Sequence, residues 1–389
     1  MKRRAYLTGR ITHALSLPRR NRKVIAPGWR TVVSYAELLD ARQPSILWLH
    51  EPEPLPPSTD LLFPELANEE IRQLHSGQPQ PTGIGIAILR NALVSGQSLV
   101  GTSSKLYLMA PITPLFVDEY LQKDGPVGDR KLSKKAKRFI PGTSILLTNW
   151  NSSTYGHWLL EGMPKLLLLR RVAHELPPFR IVMPHSLPTW ILKWIELILP
   201  SAKIERYDDS GEYVQCESLL LPTLLTSPEH VPHPELAILL EDITPPTVGV
   251  GLEKRRIFVS RIANNPFREM INQTEIEEIA LEEGLTLVKP ETLSIPEQIA
   301  QFARADLIVG EFGSAMHNTL FSPTGAQVFC LNWINPLQSY IGRLKRQHVG
   351  YLLPSSGTPV TFVLGMTRLG YHIDPRVFRN CLRALDTRR

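Results

Sequence analysis

From Ser144 onward apolar and polar positions come in alternating blocks. SILLTNW (144–150) is an apolar run ending in polar residues, which predicts a buried strand. NSSTYG is its polar exit loop, and HWLLEGMPKLLLLRR, opening at His157, carries leucines on a broad face and predicts a helix. Arg180 to Met183 repeats the strand signature, and Thr189 to Leu199 reads as an amphipathic helix closed by Pro200. The cleanest alternation lies further on: strands at 257–260, 285–288, 307–309 and 327–331, separated by helices at 273–283, 295–303 and 315–321. Runs of this kind build a parallel sheet with right-handed crossovers. The first 140 residues are less regular. Short apolar runs at 45–49, 84–89 and 106–110 sit between proline and glycine breaks and read as strands. Residues 375–385 predict a final helix with arginines on its exposed face.

A chain of 389 residues exceeds the roughly 250–300 at which a single core stops growing, so two domains are expected. The proline-rich, weakly periodic stretch 222–254 is the best connection between them. It places a first domain over 1–245, with a basic tail at 1–30, and a second over 246–389.

Composition changes the picture only locally. Hydrophobic residues at 43% and charged residues at 21% describe a globular protein rather than a disordered one. Lys and Arg exceed Asp and Glu by six, but nine cations precede the first acid, Glu37; without them 34 cations face 37 acids. A second cationic run, RKLSKKAKR, spans 130–138. Such patches suit anionic lipid headgroups or polyanions, and a peripheral membrane contact is within reach of the N-terminus, although a solvated tail and loop is the plainer reading. No RNA-binding signature, zinc finger or aromatic-basic alternation is present, so nucleic acid is not an expected partner. Cys216, Cys330 and Cys381 stand far apart without CxxC spacing, which argues against a disulfide framework and a thiolate zinc site. The basic opening lacks the apolar core of a signal peptide, and no run approaches the length needed to span a bilayer; the expected location is cytoplasmic.

In open parallel sheets ligands bind beyond the carboxyl ends of the strands. Arg261, Asn264, Arg268 and Asn272 follow the first strand of the second half. Lys289, Pro290 and Glu291 follow the next, and Gly310 to Ser314 the third. One rim thus carries two arginines, a lysine, two acids and a glycine turn. VGEFGSAMHN leads a strand through two glycines into Ser314 and Ala315 at a helix start, where free N–H groups and the positive dipole end suit a diphosphate.

Taken together these residues resemble glycosyltransferase family 61, which includes bacterial proteins described as capsular polysaccharide biosynthesis proteins. The likeness covers about 145–335. It rests on the helix-opening His157, the Arg268-x-x-x-Asn272 spacing, the run around Glu291, Ser294 and Gln298, and the glycine turn into Ala315 and Asn318. Where that family carries Pro-His ahead of the turn glycine, this chain has Glu311-Phe312. The resemblance implies an α/β, GT-B-like architecture: two Rossmann-like domains facing across a cleft, with a nucleotide-sugar donor held mainly by the C-terminal one. It further implies inverting transfer to a saccharide or lipid-linked acceptor of a surface polysaccharide. In GT-B proteins a terminal helix often crosses back to the first domain.

Inverting transfer needs a base for the acceptor hydroxyl and positive groups or N–H donors for the departing nucleoside diphosphate. Leaving-group stabilisation falls to Arg261, Arg268 and the backbone of Gly313, Ser314 and Ala315, with Lys289 assisting. A DxD pair is absent from the C-terminal loops and Asp208-Asp209 lacks a ligand set, so neither a metal nor another cofactor is expected. His157 is the favoured base, with Glu161 one turn on either orienting it or acting as the base itself; the plainer reading has His157 cap or pack the helix start. Glu291 suits a ribose diol or is a surface acid, while Ser294 with Glu297 forms an S-x-x-E capping box. His317 and Asn318 either meet phosphate and sugar hydroxyls or pack on the sheet. Trp150 and Trp158 read as packing before acceptor stacking, and His185, His230, His233, His348 and His372 have ordinary explanations. Two further functions stay open: a nucleotide-sugar epimerase of the same fold, and a non-catalytic module binding polyanions or a membrane surface.

Overall fold

A computed structural model of the chain describes residues 31–33, 39, 46–102, 105–107, 136–149, 151–227, 229–245, 255–261, 269–332, 334, 336–357 and 370–386. The basic tail, most of the 130–138 run, Trp150, Asn264 and Arg268 lie outside them. The chain divides into two compact units: residues 1–53 with 81–233, and residues 54–80 with 234–389. The division after His233 lies ahead of the boundary expected near 245, and the segment 54–80 leaves the first unit for the second.

The first unit is built on a nine-stranded sheet. Its strands are β1 (Thr31–Val33), β2 (Ile46–His50), β3 (Ile84–Ser95), β4 (Leu99–Gly101), β5 (Lys105–Tyr107), β6 (Ala136–Ile145), β7 (Phe179–Pro184), β8 (Lys203–Tyr207) and β9 (Glu212–Pro222). A Rossmann-like sheet would be parallel, but this one is mixed. β9, β6, β7 and β8 pair in parallel, whereas β3 runs antiparallel to β9, β4 and β2. The register of β6 on β9 shifts between Ile140 and Thr143, where Gly142 has φ 78°; proline and glycine together make the bulge, because proline cannot donate to the ladder and glycine tolerates positive φ. β6 ends at Ile145, short of the expected 150, and the buried residues 146–149 leave the sheet toward the next helix. That helix runs over 155–172, and a second, Thr189–Ile198, buries Ile191, Trp194, Ile195 and Ile198. Of the 130–138 cations, Arg138 is committed to the fold: it pairs with Glu205 and, at 2.5 Å, with Glu212.

The second unit is the expected parallel design. β10 (Arg255–Val259), β12 (Thr286–Val288), β13 (Ala305–Glu311), β14 (Gln327–Leu331) and β15 (His348–Leu352) lie in the order β12-β10-β13-β14-β15, all parallel. A short sheet of β11 (Glu269–Met270), β16 (Ser356–Gly357) and β17 (Gly370–His372) sits apart. The helices Gln273–Glu282 and Ile295–Ala303 stand where the apolar periodicity put them. The third expected helix is a 3-10 helix, Ser314–Phe321. The segment 54–80 covers the β15 edge. Leu62 N–H donates to the Val349 carbonyl at 3.0 Å, Phe63 packs on Phe329 with ring centroids 5.0 Å apart, and Asn68 caps the helix Glu69–Ser76 through the Ile71 N–H at 2.9 Å. The terminal helix Pro375–Asp386 buries Phe378, Cys381, Leu382 and Leu385 in the second unit's own core, beside Phe258, Ile276 and Ile279. Among the described residues no helix is long and apolar enough to cross a membrane.

Candidate active site

The helix over 155–172 is not uniform. Thr154 stands at its N-cap, an α turn covers Tyr155–His157, a π turn covers Trp158–Gly162, and α geometry resumes at Met163. Single π turns inside α-helices frequently sit at functional sites. Here the insertion has a steric partner: the indole of Trp158 lies over Gly162, where a Cβ would stand 2.3 Å from the ring. Trp158 is fully buried, so it packs rather than presenting a stacking face.

His157 makes no capping bond. Its Nδ1 lies 2.7 Å from Glu161 Oε1, with the imidazole 37% exposed and the carboxylate 3% exposed. The other carboxylate oxygen, Oε2, accepts from Asn149 Nδ2 at 2.6 Å. Asn149 is fixed in turn: its Oδ1 accepts from the Asn151 N–H at 3.0 Å and from the Ser152 hydroxyl at 3.2 Å, while its own N–H donates to Ser152 Oγ at 2.8 Å. With the amide oxygen so engaged, the amide nitrogen must face Glu161. Burial pushes the Glu161 carboxyl pKa up, but the hydrogen bond and charge of His157, the Asn149 bond and the field of His230 together hold it below the usual range. An ionised Glu161 takes the Nδ1 proton as its hydrogen bond, leaving the lone pair on Nε2. A general base needs such a lone pair, and Glu161 is bound to the other ring nitrogen.

Two neighbours were not among the expected site residues. His230, in the turn after Ser227, brings its ring centroid to 5.9 Å from that of His157; burial, reinforced by the His157 charge, lowers its pKa against the pull of Glu161. Lys165 is buried in the leucine-rich face of the helix, with Nζ 3.4 Å from the Leu147 carbonyl. The signal for Lys165 was available: it follows Glu161 by four residues inside an otherwise apolar run. For His230 no local signal existed.

In the second unit the strand order reverses between β10 and β13, the place at which open parallel sheets bind ligands beyond the carboxyl ends of their strands. Arg261 comes from the loop after β10; Glu311 and Gly313 come from the carboxyl end of β13. Arg261 Nη1 lies 3.7 Å from Glu311 Oε1 and packs on Gly313, where a Cβ would stand 2.9 Å from it. Gly313 precedes the half-buried Ser314 and Ala315, whose N–H groups open the 3-10 helix. Arginine, glycine turn and helix start are therefore brought together as the rim pattern required.

The remaining candidates separate. Lys289 and Glu291 are exposed beyond β12. Ser294 is held by Glu297, whose carboxylate accepts from the Ser294 N–H at 2.7 Å and hydroxyl at 2.6 Å, and the two residues form a capping box. Asn272 spends its amide on the protein, donating to the Ile373 carbonyl at 2.9 Å and accepting from the Ile373 N–H at 3.2 Å. Asn318 is fully buried and donates to the Ala315 carbonyl at 3.0 Å. His317 is buried, with its ring centroid 6.0 Å from that of Phe312. Asp208 Oδ1 organises a turn by accepting from the Ser210 N–H at 2.9 Å. Among the described residues no group of three or more His, Cys, Asp or Glu side chains is placed to hold a metal ion.

The family model of Glycosyltransferase 61 matches residues 155–329. The matched segment opens at the helix carrying His157 and Glu161 and closes in β14, taking in Arg261, Glu311 and Gly313 on the way. The chain is therefore a glycosyltransferase, an enzyme joining a sugar donor to an acceptor. Within that class, residues 155–329 are similar to glycosyltransferase family 61. No curated protein matches the chain.

Proposed function

We propose that the protein is an inverting glycosyltransferase that moves a sugar from a nucleotide-sugar donor to a saccharide or lipid-linked acceptor in surface or capsular polysaccharide synthesis. The acceptor hydroxyl attacks the anomeric carbon from the side opposite the nucleotide. The new C–O bond forms as the bond to the diphosphate oxygen breaks, the hydroxyl proton passes to His157 Nε2, and the charge left on the diphosphate is met by Arg261 and the N–H groups around Gly313 to Ala315. Glu161 stabilises the imidazolium formed on proton transfer. Donor binding by the second unit and acceptor activation by the first is the division of labour of a GT-B enzyme, and it forms part of this proposal, as do Arg268, Lys289 and Glu291 as further donor contacts. A cytoplasmic location, with a peripheral membrane contact through the basic N-terminus, completes it.

The observation that carries the reading is the His157–Glu161 pair, with one imidazole nitrogen bound to a buried carboxylate and the other open, inside the segment that matches the family. The test is a panel of nucleotide sugars monitored by ligand-induced thermal stabilisation and by product analysis. A shift with one nucleoside diphosphate class, lost in Arg261→Ala, together with a glycosidic product of inverted configuration supports the proposal. An isomerised free donor points to an epimerase. Absence of any nucleotide effect, with salt-sensitive polyanion binding in its place, points to a binding module.

A further inference from the structure

Lys165 is 1% exposed. Its ammonium carries three donors, yet among the described residues it has one acceptor, the Leu147 carbonyl at 3.4 Å, which is long for a charge-assisted bond. Its neighbours Met163, Leu166, Leu167 and Leu168 are buried apolar residues, so an apolar side chain would suit the position better and a buried cation there is costly. What sets the position apart is its place in a series. Lys165 follows Glu161 by four residues as Glu161 follows His157, and residues 147–149 meet both: the Leu147 carbonyl receives Lys165 and the Asn149 amide receives Glu161. Two of the groups are thus bound to one short segment, and Glu161 is joined directly to the third.

We infer that Lys165 is a positioning residue for the base: its buried charge tempers the hold of the ionised Glu161 carboxylate on the His157 proton, so that the imidazole can both take the proton and release it. The inference rests on His157 being the base. The groups facing Glu161 are His157 and Lys165 from its own helix, Asn149 from the segment after β6, and His230 from the loop after Ser227, with Glu229 acting on His230. Burial lowers the Lys165 pKa to about 8, against the pull of Glu161. Lys165 therefore carries its charge near neutral pH and loses it as the pH rises through that value. Once it is neutral, the pull of Glu161 on the His157 proton is no longer offset.

The experiment is an NMR titration of His157 in the full-length wild type and in Lys165→Met. Methionine keeps the length and apolar stem of the lysine. The His157 midpoint is expected to rise by about one pH unit in the variant, the scale of losing one nearby charge. The wild-type His157 signal is also expected to carry a second inflection near pH 8 that the variant lacks. Equal midpoints in the two proteins overturn the inference. So does a wild-type curve without the second inflection, which decides the matter even if the variant does not fold. A purely structural lysine moves the unfolding temperature and leaves the titration in place. Full transfer activity in His157→Gln overturns the base assignment, while the titration still reports whether the coupling exists, so the two failures are distinguishable.

Discussion

The Trp158 indole occupies the space that a side chain at Gly162 would need, and it does so across the π turn that separates His157 from the regular helix. The closest ring atom lies 2.3 Å from where a Cβ would stand. Gly162→Ala removes a flexible residue from a helix, a gain of up to about 1 kcal/mol. Against it stands overpacking beside a fully buried tryptophan, typically about 1–3 kcal/mol. The clash wins: the variant is expected to lose about 1–2 kcal/mol in denaturant unfolding, and its transfer rate should fall because His157 and Glu161 flank the displaced ring. Stability equal to or above wild type would show that the tryptophan moves aside freely.

His157→Gln is expected to lower kcat by about 10²–10⁴, the usual worth of a positioned base, while nucleotide-induced stabilisation persists. Equal loss of donor binding and turnover would make the residue structural. Glu161→Gln retains a hydrogen-bond acceptor for Nδ1 but removes the charge that favours imidazolium. The acid limb of its kcat profile should accordingly move to lower pH.

Arg261→Ala should weaken nucleoside diphosphate binding by about 10–100-fold, as expected for the loss of hydrogen bonds to a charged group, and it leaves Glu311 without its 3.7 Å cation. Binding measured by titration calorimetry at two salt concentrations checks this: the wild type should be the more salt-sensitive protein. Unaltered affinity would remove Arg261 from the donor site.

The stability of the wild type relative to Lys165→Met should depend on pH in a defined direction. The Lys165 pKa falls from 10.5 to about 8 on folding, so between those values the unfolded chain holds a proton that the native state has released. Stability from this group therefore rises with pH across that window and is at its lowest below it. The full span is about 3 kcal/mol. Chemical denaturation of both proteins from pH 7 to 10.5 should show the difference between them drifting in favour of the wild type. A constant difference would mean that the lysine is hydrated in the native state.

The βα alternation of 255–331 was legible because each strand is built on a short apolar run and the helices Gln273–Glu282 and Ile295–Ala303 show apolar spacing. Ser294 with Glu297 is the clearest case, since both halves of the capping box form. The first unit resisted the same reading. β9 places Gln215 and Ser218 in buried positions, and that breaks the apolar run by which a central strand is recognised. At the site, the His157–Glu161 contact followed from helical spacing, but Asn149 and His230 reach the same carboxylate and imidazole from separate loops. Only the folded chain sets those approaches. Asn272 and Asn318 show the converse: polar residues on a promising rim turn out to satisfy neighbouring backbone groups.

The excursion of 54–80 makes the second unit discontinuous along the chain, and this affects the order of events at the ribosome. The strand it covers, β15, is synthesised some 270 residues after it. The first unit's remaining residues are all in place by His233, so that portion can mature while the loop carrying Leu62 and Phe63 still awaits its partners. A polypeptide begun at Pro234 would carry five parallel strands with one edge uncovered, and supplying 54–80 as a separate peptide should restore its solubility.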